Sequence, residues 1–279
     1  MNAQSRRPTH RHREILWWPE KRRLVFLGQS PTAQFWDREW QTSDWQRRIR
    51  RTRKTSYWRR IFARYIPQRD ARILEAGCAD GHLVDALNYW GYRAVGVDFG
   101  EETVKAVQEH APDLDIRWGD VTNLEFDDAS FDAYFSGGLI EHFWDGFERL
   151  AREMHRVLRP GGRSLVTFPS VSRLDKVKAG VSGYRKFSGE AEPDDFYQFG
   201  LDPTTVRETF ASLGFACLAI HRRQGLLGME RVLPGFRRLH AAMSSLSEKN
   251  VLLRAGQSLT TRALAPLSGH SVLLVLHKR

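Results

Sequence analysis

At 279 residues the chain can hold one large domain with additions, or two small ones. It carries 43 Lys and Arg against 33 Asp and Glu, and the excess lies at one end: residues 1–64 hold 17 basic and 5 acidic side chains, the remainder 26 and 28. Two cysteines, Cys78 and Cys217, exclude a disulfide framework or a cysteine-based metal site. No apolar run reaches the ~18 residues that cross a bilayer, and no apolar core follows the N-terminal charges as in a secretory signal, which points to the cytoplasm.

Residues 1–30 are rich in Arg, His and Pro without a sustained period, and are expected to be a basic, mobile segment apart from 16–18 and 24–27. Residues 31–70 form a helical, aromatic and basic extension, with a break expected near 42–44. Six of the nine tryptophans lie before residue 65. Cations interleaved with rings can grip nucleic acid or an anionic membrane; the favoured expectation is that the rings pack on the following domain and the arginines face solvent.

Residues 71–279 alternate strand and helix. Strands are predicted at 72–75, 93–98, 114–118, 131–136, 164–168, 215–221 and 272–277, with helices at 82–90, 101–109, 145–158 and 204–213. Asp202 precedes Pro203 as a helix cap. Alternation of this kind implies a mostly parallel sheet covered by helices on both faces. Residues 170–200 show no clear period and read as a lid-like excursion; 225–268 read as a basic helical insertion.

The organising stretch is Arg-Ile-Leu-Glu-Ala-Gly-Cys-Ala-Asp-Gly-His-Leu from Arg72. A buried strand that runs through a glycine-rich turn into a helix sets backbone amides around a nucleotide-type ligand. A dinucleotide fingerprint fits poorly, because its third glycine would fall on His82. An acidic residue followed by small residues at two, four and six positions fits Glu75, Gly77, Ala79 and Gly81. Downstream, acidic residues end successive strands at Asp98 and Asp120. In an open parallel sheet these ends converge on one crevice, where Asp98 suits ribose hydroxyls, Phe99 an adenine face, and Asp120 with the Val121 amide the adenine edge.

This pattern resembles motif I of the class I S-adenosylmethionine-dependent methyltransferases, with Ala79 in place of the usual middle glycine. Three further segments are similar to the same family: Phe131 to Ser136 with Ile140-Glu141-His142, Glu153 to Gly162, and Gly214-Phe215. The resemblance covers about residues 71–221 and is closest to the quinone-biosynthesis and small-metabolite group. It implies a Rossmann-like α/β fold with seven strands, the last antiparallel. It also implies S-adenosylmethionine as cofactor, with Glu75, Gly77 and Gly81 around its methionine part, Asp98 at the ribose, Asp120 at the adenine, and Ser136 and Gly137 beside the methyl group; Cys78, Ala79, Phe99 and Val121 complete the expected cofactor-binding set.

The implied reaction is methyl transfer to a small or medium-sized acceptor, at oxygen. His142 is the leading candidate for a base, ahead of Tyr184, Tyr197 and His155. No metal is expected, because Gly138 stands where metal-binding subfamilies place a second acid. Two alternatives stand beside this reading: methylation of RNA or a ribosomal component gripped by the basic N-terminus, and a non-catalytic cofactor- or partner-binding protein of the same fold.

Overall fold

A computed structural model describes residues 12–41, 44–189, 191–233 and 235–279. Residues 1–11, and residues 42 and 43 at the expected helix break, lie outside the described set. The basic segment is not a mobile tail from residue 12 onward. Strands β1 (His12–Trp18) and β2 (Arg23–Gly28) form an antiparallel hairpin. The turn between them is closed by the Arg22 amide donating to the Pro19 carbonyl, and the buried Leu16, Leu24, Val25 and Phe26 give it an apolar interior.

Three helices follow: α1 (Ala33–Gln41), α2 (Trp45–Arg53) and α3 (Ser56–Tyr65). They dock on the next domain through named contacts. Trp45 Nε1 donates to the Asp80 carbonyl and Trp90 Nε1 to the Arg53 carbonyl. Arg53 forms a two-pronged ion pair with Asp85, and Trp58 meets Phe135 edge-on.

The domain then runs β3 (Arg72–Ala76), α4 (His82–Tyr89), β4 (Arg93–Asp98), α5 (Glu101–His110), β5 (Asp115–Trp118) and β6 (Phe131–Gly137). A single 3-10 turn, Ile140–His142, leads to α6 (Glu148–Val157) and β7 (Leu158–Pro169). The segment 170–200 is more ordered than its sequence implies. It contains α7 (Arg173–Gly180), held by a Ser172–Asp175 capping box, and the strands β8 (Arg185–Lys186) and β9 (Phe196–Gly200). The chain ends with α8 (Pro203–Ser212), capped by Asp202, then β10 (Phe215–Arg223), α9 (Gly225–Val232), α10 (Phe236–Lys249), α11 (Val251–Ser268) and β11 (Ser271–Lys278).

The main sheet has seven strands in the order β10-β11-β7-β6-β3-β4-β5, with β11 antiparallel to both neighbours. Adjacent residues on β3 feed opposite layers: Leu74 packs with Tyr134, Leu150 and Met154, while Ile73 packs with Phe62, Val84 and Leu87. Both faces are therefore buried, as the continuous apolar strands require. β7 begins at Leu158 rather than 164, since Leu158 pairs with Phe131 and a register shift absorbs the Pro160-Gly161-Gly162 turn.

A second, four-stranded sheet runs β8-β1-β2-β9. It joins the N-terminal hairpin to the 170–200 segment through β2–β9 pairing, for example Val25 with Phe199. Trp18, Trp144, Phe187, Phe196 and Phe199 interlock beneath it. The segments read from sequence as a tail and a lid are one sheet because each supplies the other's missing strand partners.

Candidate active site

In a sheet of this order the chain leaves β3 toward β4 on one side and β6 toward β7 on the other, so a crevice opens between the carboxyl ends of β3 and β6. A cavity of about 700 Å³ lies there. Its floor is Gly77 and Ala79 after β3, Asp98 and Phe99 at the end of β4, Asp120 and Val121 after β5, and Gly137, Gly138 and Leu139 after β6. Its other walls are Pro31, Trp36 and Trp40 from the extension, Glu141, His142 and Phe143 from the 3-10 turn, and Tyr197 and Gln198 from β9.

The floor is shaped by backbone. Gly77 has φ +73°, and a Cβ there would stand 3.3 Å from the Leu139 side chain, so only glycine leaves this surface open without strain. The amides of Gly77 and Cys78 both donate to the Val97 carbonyl, tying the turn to β4. Asp98 completes the tie: one carboxylate oxygen accepts from Ala79 N at 2.8 Å and the other from Gly100 N at 2.9 Å. Burial raises its pKa, the Gly100 and Ala79 amides pull it down, and the balance is upward. Each oxygen has a second lone pair, which suits it to accept from a diol.

Asp120 is exposed and already accepts from the Thr122 amide and hydroxyl, so it works as a turn former as well as a rim acceptor. Phe99 is exposed on the rim.

The structure brings together eight of the sequence-predicted positions, Gly77, Ala79, Asp98, Phe99, Asp120, Val121, Gly137 and His142. Four others lie behind the lining. Cys78 is buried against Gly96 and Ile116, and Gly81 starts α4 at φ +69° against Ile116 and Leu114. Ser136 is fully buried in the sheet. Glu75 is buried beneath the turn, and desolvation, reinforced by Asp80 and Asp98, drives its pKa well above the ordinary range. Glu75, Cys78 and Gly81 lie behind the lining because the strand-to-helix turn points only Gly77 and Ala79 at the crevice, and Ser136 lies behind it because its neighbour Gly137 takes the lining position on β6.

His142 sits on the cavity wall formed by the 3-10 turn. Its Nδ1 lies 2.7 Å from the Tyr197 carbonyl, which can only accept, so Nδ1 donates and the neutral ring carries its lone pair on Nε2. Trp36 and Tyr197 meet the ring edge-on. Of the weaker base candidates, Tyr197 lines the cavity, whereas Tyr184 is bound to Asp175 in a buried network and His155 packs on Phe215 outside the lining.

Sequence reading missed Trp36, Trp40, Glu141 and Gln198 as wall residues. The four-residue spacing of the two tryptophans was visible but equally suits plain packing. Glu141 is 2 % exposed, has one oxygen without a hydrogen-bond partner, and desolvation pushes its pKa to about 8. Among the described residues no three His, Cys, Asp or Glu side chains gather as a metal site.

A seven-stranded sheet with its crevice at the β3–β6 switch, acidic residues at successive strand ends and a glycine turn beneath defines a nucleotide-type cofactor fold. Residues 74–166 match the family described as a methyltransferase domain. A probable S-adenosylmethionine-dependent methyltransferase of Mycolicibacterium smegmatis is 41% identical over 35% of this chain and 38% of its own length. A malonyl-[acyl-carrier protein] O-methyltransferase of Erwinia pyrifoliae is 30% identical over 43% of this chain and 45% of its own. The chain thus spans less than half the length of these curated relatives. Among solved structures, the cyclase SpnF is similar over 80% of each chain with a TM-score of 0.52 at 18% identity, a likeness of fold alone. Residues 74–166 thus carry a methyltransferase domain, and the relatives matched across this region are named S-adenosylmethionine-dependent methyltransferases, whose cofactor is S-adenosylmethionine.

The cavity fits that cofactor: the side-chain-free surface at Gly77, the carboxylate lone pairs of Asp98 and the Asp120–Val121 rim offer a cradle, acceptors for a diol and an edge for a base.

Proposed function

We propose that this protein transfers a methyl group from S-adenosylmethionine to a hydroxyl of a small or medium-sized acceptor, acting in the cytoplasm. One observation carries the reading: a single cavity has the adenosyl-type acceptors Asp98 and Asp120 on its floor and an oriented histidine among aromatic rings on its wall. Gly77, Ala79, Asp98, Phe99, Asp120, Val121 and Gly137 are the residues that would hold the cofactor. When bound, its sulfonium supplies an already activated methyl group.

The protein's own share is alignment and proton removal. Trp36, Trp40 and Tyr197 form apolar walls for the acceptor, and His142 Nε2 would take the proton of the acceptor hydroxyl, whose oxygen would receive the methyl group that the bound cofactor supplies. The Tyr197 carbonyl holds the ring and stabilises the resulting imidazolium through Nδ1–H. The relative named as an O-methyltransferase supports oxygen as the accepting atom. Incubation with methyl-labelled S-adenosylmethionine and fractionated cell extract should move label into a small-molecule fraction. Binding of the cofactor with no transfer to any fraction would instead favour a non-catalytic binding protein.

A second reading has one observation behind it. An open groove of about 720 Å³ between α2 and α3 is lined by Arg50, Arg53, Lys54, Arg59 and Arg60, the kind of surface that grips a phosphate backbone. If label enters RNA instead, with binding that falls steeply as salt rises, the acceptor is nucleic acid.

A further inference from the structure

The insertion 225–268 is anchored at one end and exposes leucines at the other. Gly228 lies so close to Ser268 that a Cβ would overlap its carbonyl, and Gly225 is similarly pressed on the backbone at Thr261 and Ala265. Ser268 Oγ donates to the Gly225 carbonyl, and Ala265 and Ser268 are buried. The far end is different. On α10, Leu239 and Leu246 are 55% and 62% exposed, and on α11, Leu252 and Leu259 are 81% and 65% exposed. Each pair is spaced by seven residues, so each helix carries a leucine stripe facing outward.

Charge selects what covers such stripes. From residue 236 to 268 the sequence has five Lys or Arg and one acidic residue. Arg237, Arg238, Arg254 and Arg262 are exposed. A second copy of the same surface would bring like charges together, whereas an anionic bilayer attracts the arginines and accepts the leucines. Among the described residues no helix is long and apolar enough to cross a membrane, so these helices would lie along its surface.

Position adds a consequence. β10 runs parallel to β7, and α9 leaves from its carboxyl end, so the insertion is rooted on the sheet edge where the cavity opens. Both α9 and α11 also pack on α7, the helix that leads into β8 and β9.

We propose that α10 and α11 seat the protein on an anionic membrane surface, with the leucine stripes inserted among the lipid chains and the arginines at the headgroups. The seat stands independently of methyl transfer.

The test is co-sedimentation of the full-length protein with vesicles of phosphatidylcholine alone or enriched in phosphatidylglycerol. The protein should sediment with the anionic vesicles about tenfold more than with the neutral ones, less so at high salt. Leu252→Glu with Leu259→Glu should abolish sedimentation while the thermal unfolding midpoint and cofactor affinity stay unchanged; Leu252→Ser with Leu259→Ser is the milder form should the charged pair disturb folding. Protein that remains in solution with anionic vesicles overturns the proposal. So does sedimentation indifferent to the leucine variants, or a leucine-dependent dimer that ignores vesicles.

Discussion

The floor of the cavity is assembled from residues near one another along β3, β4, β5 and β6, whereas its roof, the four-stranded sheet that brings Tyr197 and Gln198 to the wall, joins residues as far apart as Arg13 and Asp195, an ion pair spanning 182 positions. The floor's geometry is dictated locally: a glycine turn, a carboxylate at a strand end and the amides it accepts. The roof exists only once β2 finds β9, a closure whose entropy must be offset by the aromatic cluster around Trp18 and Trp144. On the proposed reading, the residues that would hold the cofactor lie in the local half, and Tyr197, on the wall that would meet an acceptor, lies in the half built by long-range pairing.

Perturbations of the two halves should separate stability, turnover and cofactor affinity. The largest effect belongs to Arg231, which ties α9 to α7 by bonding Asp175 and the Ser170 carbonyl. Burial raises the Asp175 pKa, yet Arg231 and the Ser172 and Tyr184 bonds hold it below the ordinary range. Arg231→Ala leaves that carboxylate buried and unpaired, and should cost roughly 3–5 kcal/mol in urea unfolding. A loss under about 1 kcal/mol, the scale of an exposed pair, would mean that the network does not anchor this region.

His142→Ala should slow turnover about 100-fold with cofactor affinity little altered, because only the wall is changed. An unchanged rate removes it as the base. Asp98→Ala acts on the floor: it strips the acceptor from Ala79 N and Gly100 N as well as from a ribose, and should weaken S-adenosylmethionine about tenfold or more in calorimetry. Equal affinities would break the floor assignment.

The remaining effect is a slope with pH. Glu141 is held neutral in the folded protein up to about pH 8, while its ordinary value is 4.5. Between these values only the unfolded chain has lost the proton, so stability of the cofactor-free protein falls as pH rises through this window and levels off above it. Glu141→Gln should flatten the decline, seen in unfolding midpoints from pH 5 to 9. A decline that survives the substitution assigns it to another group.

How much was legible follows the same division. The strand ends at Asp98 and Asp120, the turn at Gly77 and the capping Asp202 are written in local spacing, and the structure has them at strand and helix ends. Ile73 and Leu74 announced a strand buried on both faces. By contrast, β1 and β2 were obscured by interspersed charges such as Glu14 and Arg23, and β9 by its short length. Neither contains the signal that they pair. Trp36 and Trp40 posed a different difficulty, since an aromatic pair at helical spacing looks the same whether it packs on a neighbour or lines a cavity. Ser136 and Cys78 were placed near the ligand by motif, but strand alternation and the crowding at Gly96 set them behind it.

The central claim is that the strand-end crevice holds the adenosyl part of the cofactor. Ultraviolet crosslinking of radiolabelled S-adenosylmethionine to the full-length protein, followed by peptide mapping, addresses it most directly. Label in peptides carrying Phe99 or Val121, competed away by S-adenosylhomocysteine, is the predicted result; saturable label confined to peptides outside the cavity walls would contradict the account.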